Sequence, residues 1–291
     1  MRRTVAGAVL ALALLAACSD DETPETAPTT QPPGDRSDTD VIPAAVDATL
    51  AEGSARLEAT TEIEDLVGAG DEPLLAEAEG LVDFEGRTSS LAIDLASVLE
   101  GLGLPGLEGE VESRSVGDDR WLRSPFFNTV LGVPTEWLLL DVGPADGQAA
   151  GVSQLGALIG NDPTDQLRLL AGIDPDSVEE AGEEDVRGES TTRYTATIDP
   201  ETVLDGVPES DRERLAPLVE QLGTGPVDVE VWLDDDGRIR RLATTVPLPP
   251  AAGGGQANVR LDLFDFGVDV DVEAPPAEDV TPASEVTNPG P

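Results

Sequence analysis

The stretch Val227-Asp228-Val229-Glu230-Val231-Trp232-Leu233, followed by Asp234-Asp235-Asp236-Gly237 and the return from Ile239 to Val246, decides the fold. Its apolar residues fall at every second position, the period of a strand with one buried face. The Asp-Asp-Gly run is turn chemistry, so the two strands read as a hairpin. The same alternation continues outward. Val259, Leu261 and Leu263 alternate with Asn258, Arg260 and Asp262. Ala55, Leu57, Ala59, Thr61 and Ile63 alternate with Arg56, Glu58, Thr60 and Glu62. Further runs are Ala76 to Phe84 and Leu91 to Leu95, joined at Glu85-Gly86-Arg87. Val111 to Val116 and Arg120 to Arg123 form a hairpin around Gly117-Asp118-Asp119, and Trp137 to Val142, Ser177 to Val186 and Thr191 to Ile198 are also strands. One apolar and one charged sheet face is the antiparallel habit. The pattern predicts about ten or eleven strands and three or four short helices covering the apolar face.

The helices have their own signals. Val46 and Leu50 share a face within Val41 to Glu52. Val152, Leu155, Leu158 and Ile159 make a second apolar stripe. Asp162-Pro163 followed by Asp165 supplies a cap, a proline at the first position and an acid in the first turn. Ser210 and Glu213 have the spacing of a capping box, and Pro217 is expected to kink that helix or delay its start.

The first residues carry an address. Met1-Arg2-Arg3 is a short positive start, and Thr4 to Ala17 is apolar or small, too short to span a bilayer comfortably. It ends in Leu15-Ala16-Ala17-Cys18. The chain has a single cysteine, so it forms no internal disulfide and no CxxC site. A lipid on Cys18 would attach the chain to a membrane at about 0.8 kcal/mol per buried methylene. The expected organisation is a signal peptide at 1–17, a lipidated disordered tether at 18–40, a folded domain at 41–273 and a disordered tail at 274–291.

Composition excludes several functions. The chain holds 59 acidic and 17 basic residues, a net charge of −42, so it lacks the positive face that nucleic acid requires. With no histidine, the usual base of Ser and Cys hydrolases is missing. Asp234-Asp235-Asp236-Gly237 is no calcium loop, because Thr245 stands where the twelfth-position glutamate belongs. The Gly-rich Leu99 to Leu107 lacks the lysine and order of a phosphate loop and reads as an apolar lip or a buried loop. Trp121 and Trp137 read as core or rim packing. No catalytic residue, metal ligand or cofactor is expected.

The Leu15–Cys18 motif, the strand Ser54 to Glu64, Gly117-Asp118-Asp119-Arg120-Trp121-Leu122-Arg123-Ser124-Pro125, Trp137 to Asp141, Asp234 to Leu242, Phe264 to Val268 and Val272-Glu273-Ala274-Pro275-Pro276 occur in one order. That ordered set resembles the LppX/LprG-like lipoproteins of actinobacterial cell envelopes, relatives in fold of the LolA lipoprotein carrier. The resemblance implies an α+β fold: a strongly curved antiparallel sheet, or half-barrel, with helices across its concave face. It implies an apolar cavity between them and binding or carriage of acylated lipids or lipoglycans, the triacylated glycolipid class included. It also implies a monomer at the extracytoplasmic face of the cell membrane. The alternation nominates Val82, Ile93, Val229 and Leu261 as lining. The rivals are a structural or signalling lipoprotein with a packed core and no ligand, and a carboxylate-only hydrolase.

Overall fold

The computed structural model describes residues 40–65, 72–101, 103, 109–140, 162–223, 225–248 and 254–286. Cys18, the tether and the stripe from Val152 to Ile159 lie outside these residues.

Twelve strands form one large curved, unclosed sheet among the described residues. They are β1 (Ser54–Glu64), β2 (Leu74–Asp83), β3 (Thr88–Asp94), β4 (Glu110–Val116), β5 (Asp119–Arg123) and β6 (Trp137–Leu140), then β7 (Glu179–Val186), β8 (Glu189–Ile198), β9 (Val227–Leu233), β10 (Ile239–Pro247), β11 (Gln256–Phe264) and β12 (Val280–Pro282). The order is β12-β6-β5-β4-β3-β2-β1-β11-β10-β9-β8-β7. Strands β1 to β6 and β7 to β11 therefore each pair as a meander, and two non-consecutive pairings, β11 with β1 and β12 with β6, complete the sheet. The expected α+β architecture holds, with one change: β12 pairs in parallel with β6, so the sheet is mixed.

Among the described residues the six α-helices are α1 (Val41–Ala51), α2 (Ala96–Gly101), α3 (Pro125–Val130), α4 (Pro163–Leu169), α5 (Pro200–Gly206) and α6 (Glu209–Leu222). α4 starts as its sequence dictates: Pro163 opens it and the Asp162 carboxylate accepts from the Thr164 amide at 2.8 Å. The start of α6 differs. It begins at Glu209 behind Pro208, whose φ of −54° suits a helix entry, so Ser210 lies inside the first turn and no side-chain cap forms. The helix also runs on through Pro217. α4 and α6 are joined by a buried charge network. Arg168 reaches Asp211 at 2.9 Å, and Arg214 pairs with Asp165 and, at 3.1 Å, with Asp211.

The Asp234 turn is a hairpin, as its sequence requires. The Asp234 carboxylate accepts from the amides of Asp236 and Arg238, and Gly237 takes φ of +78°. The segment after Ala274, expected to be a loose tail, is instead docked as far as Val286. Val280, Thr281 and Pro282 pair with Trp137, Leu138 and Leu139, and Ala283 and Val286 are buried. Backbone pairing to an otherwise open sheet edge orders a stretch too short and too Pro-rich to show alternation.

Candidate functional site

Among the described residues, the apolar sheet face does not carry one continuous core. It carries two separate clusters. The first lies under α1, α4, α5 and α6 and includes Leu57, Val82, Leu167, Leu215, Val231 and Leu261. The second lies under α2, α3 and the C-terminal segment and includes Ile63, Ile93, Leu122, Phe127, Leu138 and Val286.

Between them runs a diagonal seam, which the strand registers trace. Ala78 on β2 faces Ala59 on β1. One step towards the β5 side, Leu91 faces Gly80 and Ser113. A step beyond, Ser89 faces Ser115, which faces Arg120. In the other direction Thr61 faces Val259, and Val259 faces Thr244. Ala59, Ala78, Leu91 and Val259 are half-buried, in contrast to the clusters beside them. Among the described residues, Leu91 alone packs against both clusters. The cause is side-chain size: alanine, glycine and threonine on adjacent strands cannot reach the side chains that would join the two cores. Gly80 is required there, because a Cβ would come 2.0 Å from the Ser90 carbonyl oxygen. From Ser115 to Val246 the seam is on the order of 35 Å long along the sheet. Half the hydrocarbon thickness of a bilayer is about 15 Å, so the seam has length for an extended acyl chain.

The four nominated residues stand around this seam rather than in one void. Val82, Val229 and Leu261 belong to the first cluster and Ile93 to the second. Ile93 pairs with Ala78, Leu261 with Ala59, Val82 with Ser89 and Val229 with Thr244. All four are at most 5% exposed. The alternation by itself does not single out the small residues of the floor as a set. Their signal is that β1 and β2 repeat Ala or Gly at the apolar positions of the alternation, where β9 has Val.

The opposite, polar face carries two open troughs. One, about 960 Å³, is lined by Glu58, Glu77, Glu79, Asp94, Glu110 and Glu112 among others. Like charges face each other there, Glu58 with Glu79 and Asp94 with both Glu77 and Glu110, an unfavourable arrangement in any sheet. The other trough, about 780 Å³, includes Arg193, Arg241, Arg260 and Trp232. Most of these groups have partners. Arg241 is bidentate on Asp262 at 2.6 and 2.7 Å, and the Trp232 indole donates to Glu184 at 3.0 Å. Trp137 is covered by the guanidinium groups of Arg114 and Arg123 at 4.6 and 5.0 Å, and Trp121 is also buried. Among the described residues, no group of three or more Cys, His, Asp or Glu is placed to hold a metal ion.

The fold thus defines a class: an open mixed sheet of the α+β type, helices on one face and a divided apolar core beneath them. An uncharacterised 31.2 kDa protein from the rplA–rplJ intergenic region of Streptomyces griseus is 24% identical over 255 residues, 81% of this chain and 76% of that one. The structure is similar to the lipoprotein LppX of Mycobacterium tuberculosis (18% identity, 81% of this chain and 98% of that one, TM-score 0.45). It is also similar to LprF of Mycobacterium bovis (15%, 82% and 96%, TM-score 0.42). No family model matches the chain.

Proposed function

We propose that the protein is a non-enzymatic cell-envelope lipoprotein, held at the extracytoplasmic face of the membrane through Cys18, that binds and carries acylated lipid or lipoglycan as a monomer. The observation that carries this reading is the seam. A helix-covered sheet face normally buries one contiguous core. Here, among the described residues, two cores stop short of each other along a line of small, half-buried residues. An acyl chain laid in that line gains roughly 0.8 kcal/mol for each methylene taken out of water. Val82, Ile93, Val229 and Leu261 then form its walls, and Ala59, Ala78 and Leu91 its floor. The description of LppX as a lipoprotein accords with this reading, and the Leu15–Cys18 motif supplies the attachment.

The test uses the whole chain with Cys18→Ser, which removes the anchor's own acyl groups. Made in a host with its native lipids and examined by gentle mass spectrometry, it should retain an acylated lipid. Bare protein that takes up no added lipid would leave the rival reading, a surface lipoprotein with a packed core. That rival is favoured by one fact: the four wall residues are almost fully buried without any ligand.

A further inference from the structure

The polar face is crossed by part of the chain itself. The β7–β8 hairpin outruns its neighbour: the last pair of β8 with β9 is Thr192 with Leu233, while β7 and β8 stay paired as far as Val186 and Glu189. This end does not point away into solvent. Arg187, at its tip, donates to Glu58 on β1 at 2.6 Å and sets its guanidinium 3.8 Å from the centre of the Phe264 ring on β11. Three strands, β9, β10 and β11, separate β8 from β1 in the sheet, so the hairpin end arches over them. On the way Glu184 accepts from the Trp232 indole at 3.0 Å. Val186 lies on the same side of β7 as Glu184; it is 1% exposed, yet belongs to neither core. The hairpin end thus covers a small aromatic patch, Trp232 and Phe264, on a face that is otherwise charged.

Two features mark the tip as a latch. The first is its backbone. Arg187 and Gly188 make a two-residue turn with φ of +56° and +87°, positive at both places as a type I′ hairpin turn requires. Asn, Asp or Gly suits the first place; an arginine there is unfavourable and persists where its surroundings hold it. The second is charge. Glu58 faces Asp262 on one side and Glu79 on the other, so Arg187 offsets a row of like charges. The strap also has a place to bend: the β7–β8 register slips between Glu180 and Glu183, where Gly182 takes φ of +104°.

We propose that the hairpin end, from Glu183 to Thr191, is a strap that opens and closes over the polar face, latched by Arg187 on Glu58 and Phe264 and bending at Gly182. The closed form is the one described. Its tip stands where the two troughs meet: Glu58 lines the larger, Glu184 and Trp232 line the smaller, and Thr60 lines both. Release joins them into one groove and uncovers Trp232 and Phe264 on its floor. The strap lies on the face opposite the seam, so it neither needs nor excludes a lipid there.

The full-length chain with Cys18→Ser has no other thiol, so Val186→Cys added to it reports opening through its rate of reaction with N-ethylmaleimide. That thiol should react about tenfold more slowly, or slower still, than one placed by Glu189→Cys at the exposed turn. Arg187→Asn keeps a good turn residue but removes the latch, and Glu58→Gln removes the ion pair alone. Each should speed the reaction of Val186→Cys, by about fivefold and about threefold. Melting, and the reaction of a core thiol from Val203→Cys, should not change. Together the two changes should exceed Arg187→Asn alone by little, because both break one contact. Hydrogen exchange at residues 183–189, in chains that keep Val186, should follow the same order. An Arg187→Asn protein that reacts no faster, or more slowly because its turn is better, overturns the latch. Reaction at Val186→Cys that rises only in step with Val203→Cys reports unfolding of the whole domain and overturns the strap.

Discussion

The two halves of the apolar face are built differently. Under β8 to β11 and β1, four helices press Leu167, Val203, Leu215 and their neighbours onto β-branched strand residues, and the core there is deep. Under β3 to β6 the cover is two six-residue helices and the C-terminal segment, with Phe127 as the largest fully buried side chain. Both cores are closed; what differs is how. One is closed by helices that contact each other through buried ion pairs, the other by short pieces that each contact the sheet separately. Among the described residues, what separates the two cores is the small side chains on the strands between them.

The comparison breaks most visibly if the halves are one core. Leu215→Ala in the first cluster and Leu138→Ala in the second should each cost about 2–5 kcal/mol. With no shared partner, the double mutant should be additive within about 0.5 kcal/mol, as measured by denaturant unfolding. A larger coupling would mean the seam does not separate them. Next, ending the chain at Pro276 removes β12, Ala283 and Val286. It should destabilise by roughly 1–3 kcal/mol, and hydrogen exchange should rise in β6 but not in β9. Exchange rising equally in both would erase the distinction. Val82→Trp and Leu261→Trp, in walls already filled, should each lower stability by about 1–3 kcal/mol through overpacking. The smallest effect is electrostatic. The hydrogen bond from Arg87 holds the Asp118 carboxyl below its usual pKa. A lowered folded-state pKa gives stability above the unfolded value near 3.8, lost as pH falls through the folded value. Both groups reach solvent, so Arg87→Ala should cost under about 1 kcal/mol, and only above pH ~4.

Much of this architecture is legible in the sequence because alternation fixes which face of a strand is buried. β1, β9 and β11 follow from it directly, and so does the Asp234 hairpin. Periodicity does not say how the buried face is packed. Ala78 and Val229 occupy equivalent places in their alternations, yet one lies in the seam and the other in a core. That depends on which helices cross above, a tertiary fact. β12 is illegible for a different reason: a three-residue strand that itself ends in Pro282 cannot show a period, and its order comes from the edge of β6. Arg120 and Trp121 reverse the usual inside–outside rule. Arg120 shares the inward row with Ser115 and Ser89, while Trp121 lies under the charged face. Composition alone would have placed them the other way. The alternation also names the walls around the seam, Ile93 and Leu261, more readily than its floor.

The most direct test of the seam is uptake of a fluorescent fatty acid by three forms of the full-length Cys18→Ser protein: the parent, Ala78→Trp on the seam floor, and Ala92→Trp on the polar face beside it. Ala78→Trp should abolish uptake with melting almost unchanged, because the new ring occupies space a ligand would use, while Ala92→Trp should alter neither. Uptake that survives Ala78→Trp, or that falls only in step with melting, would contradict a ligand seat between the two cores.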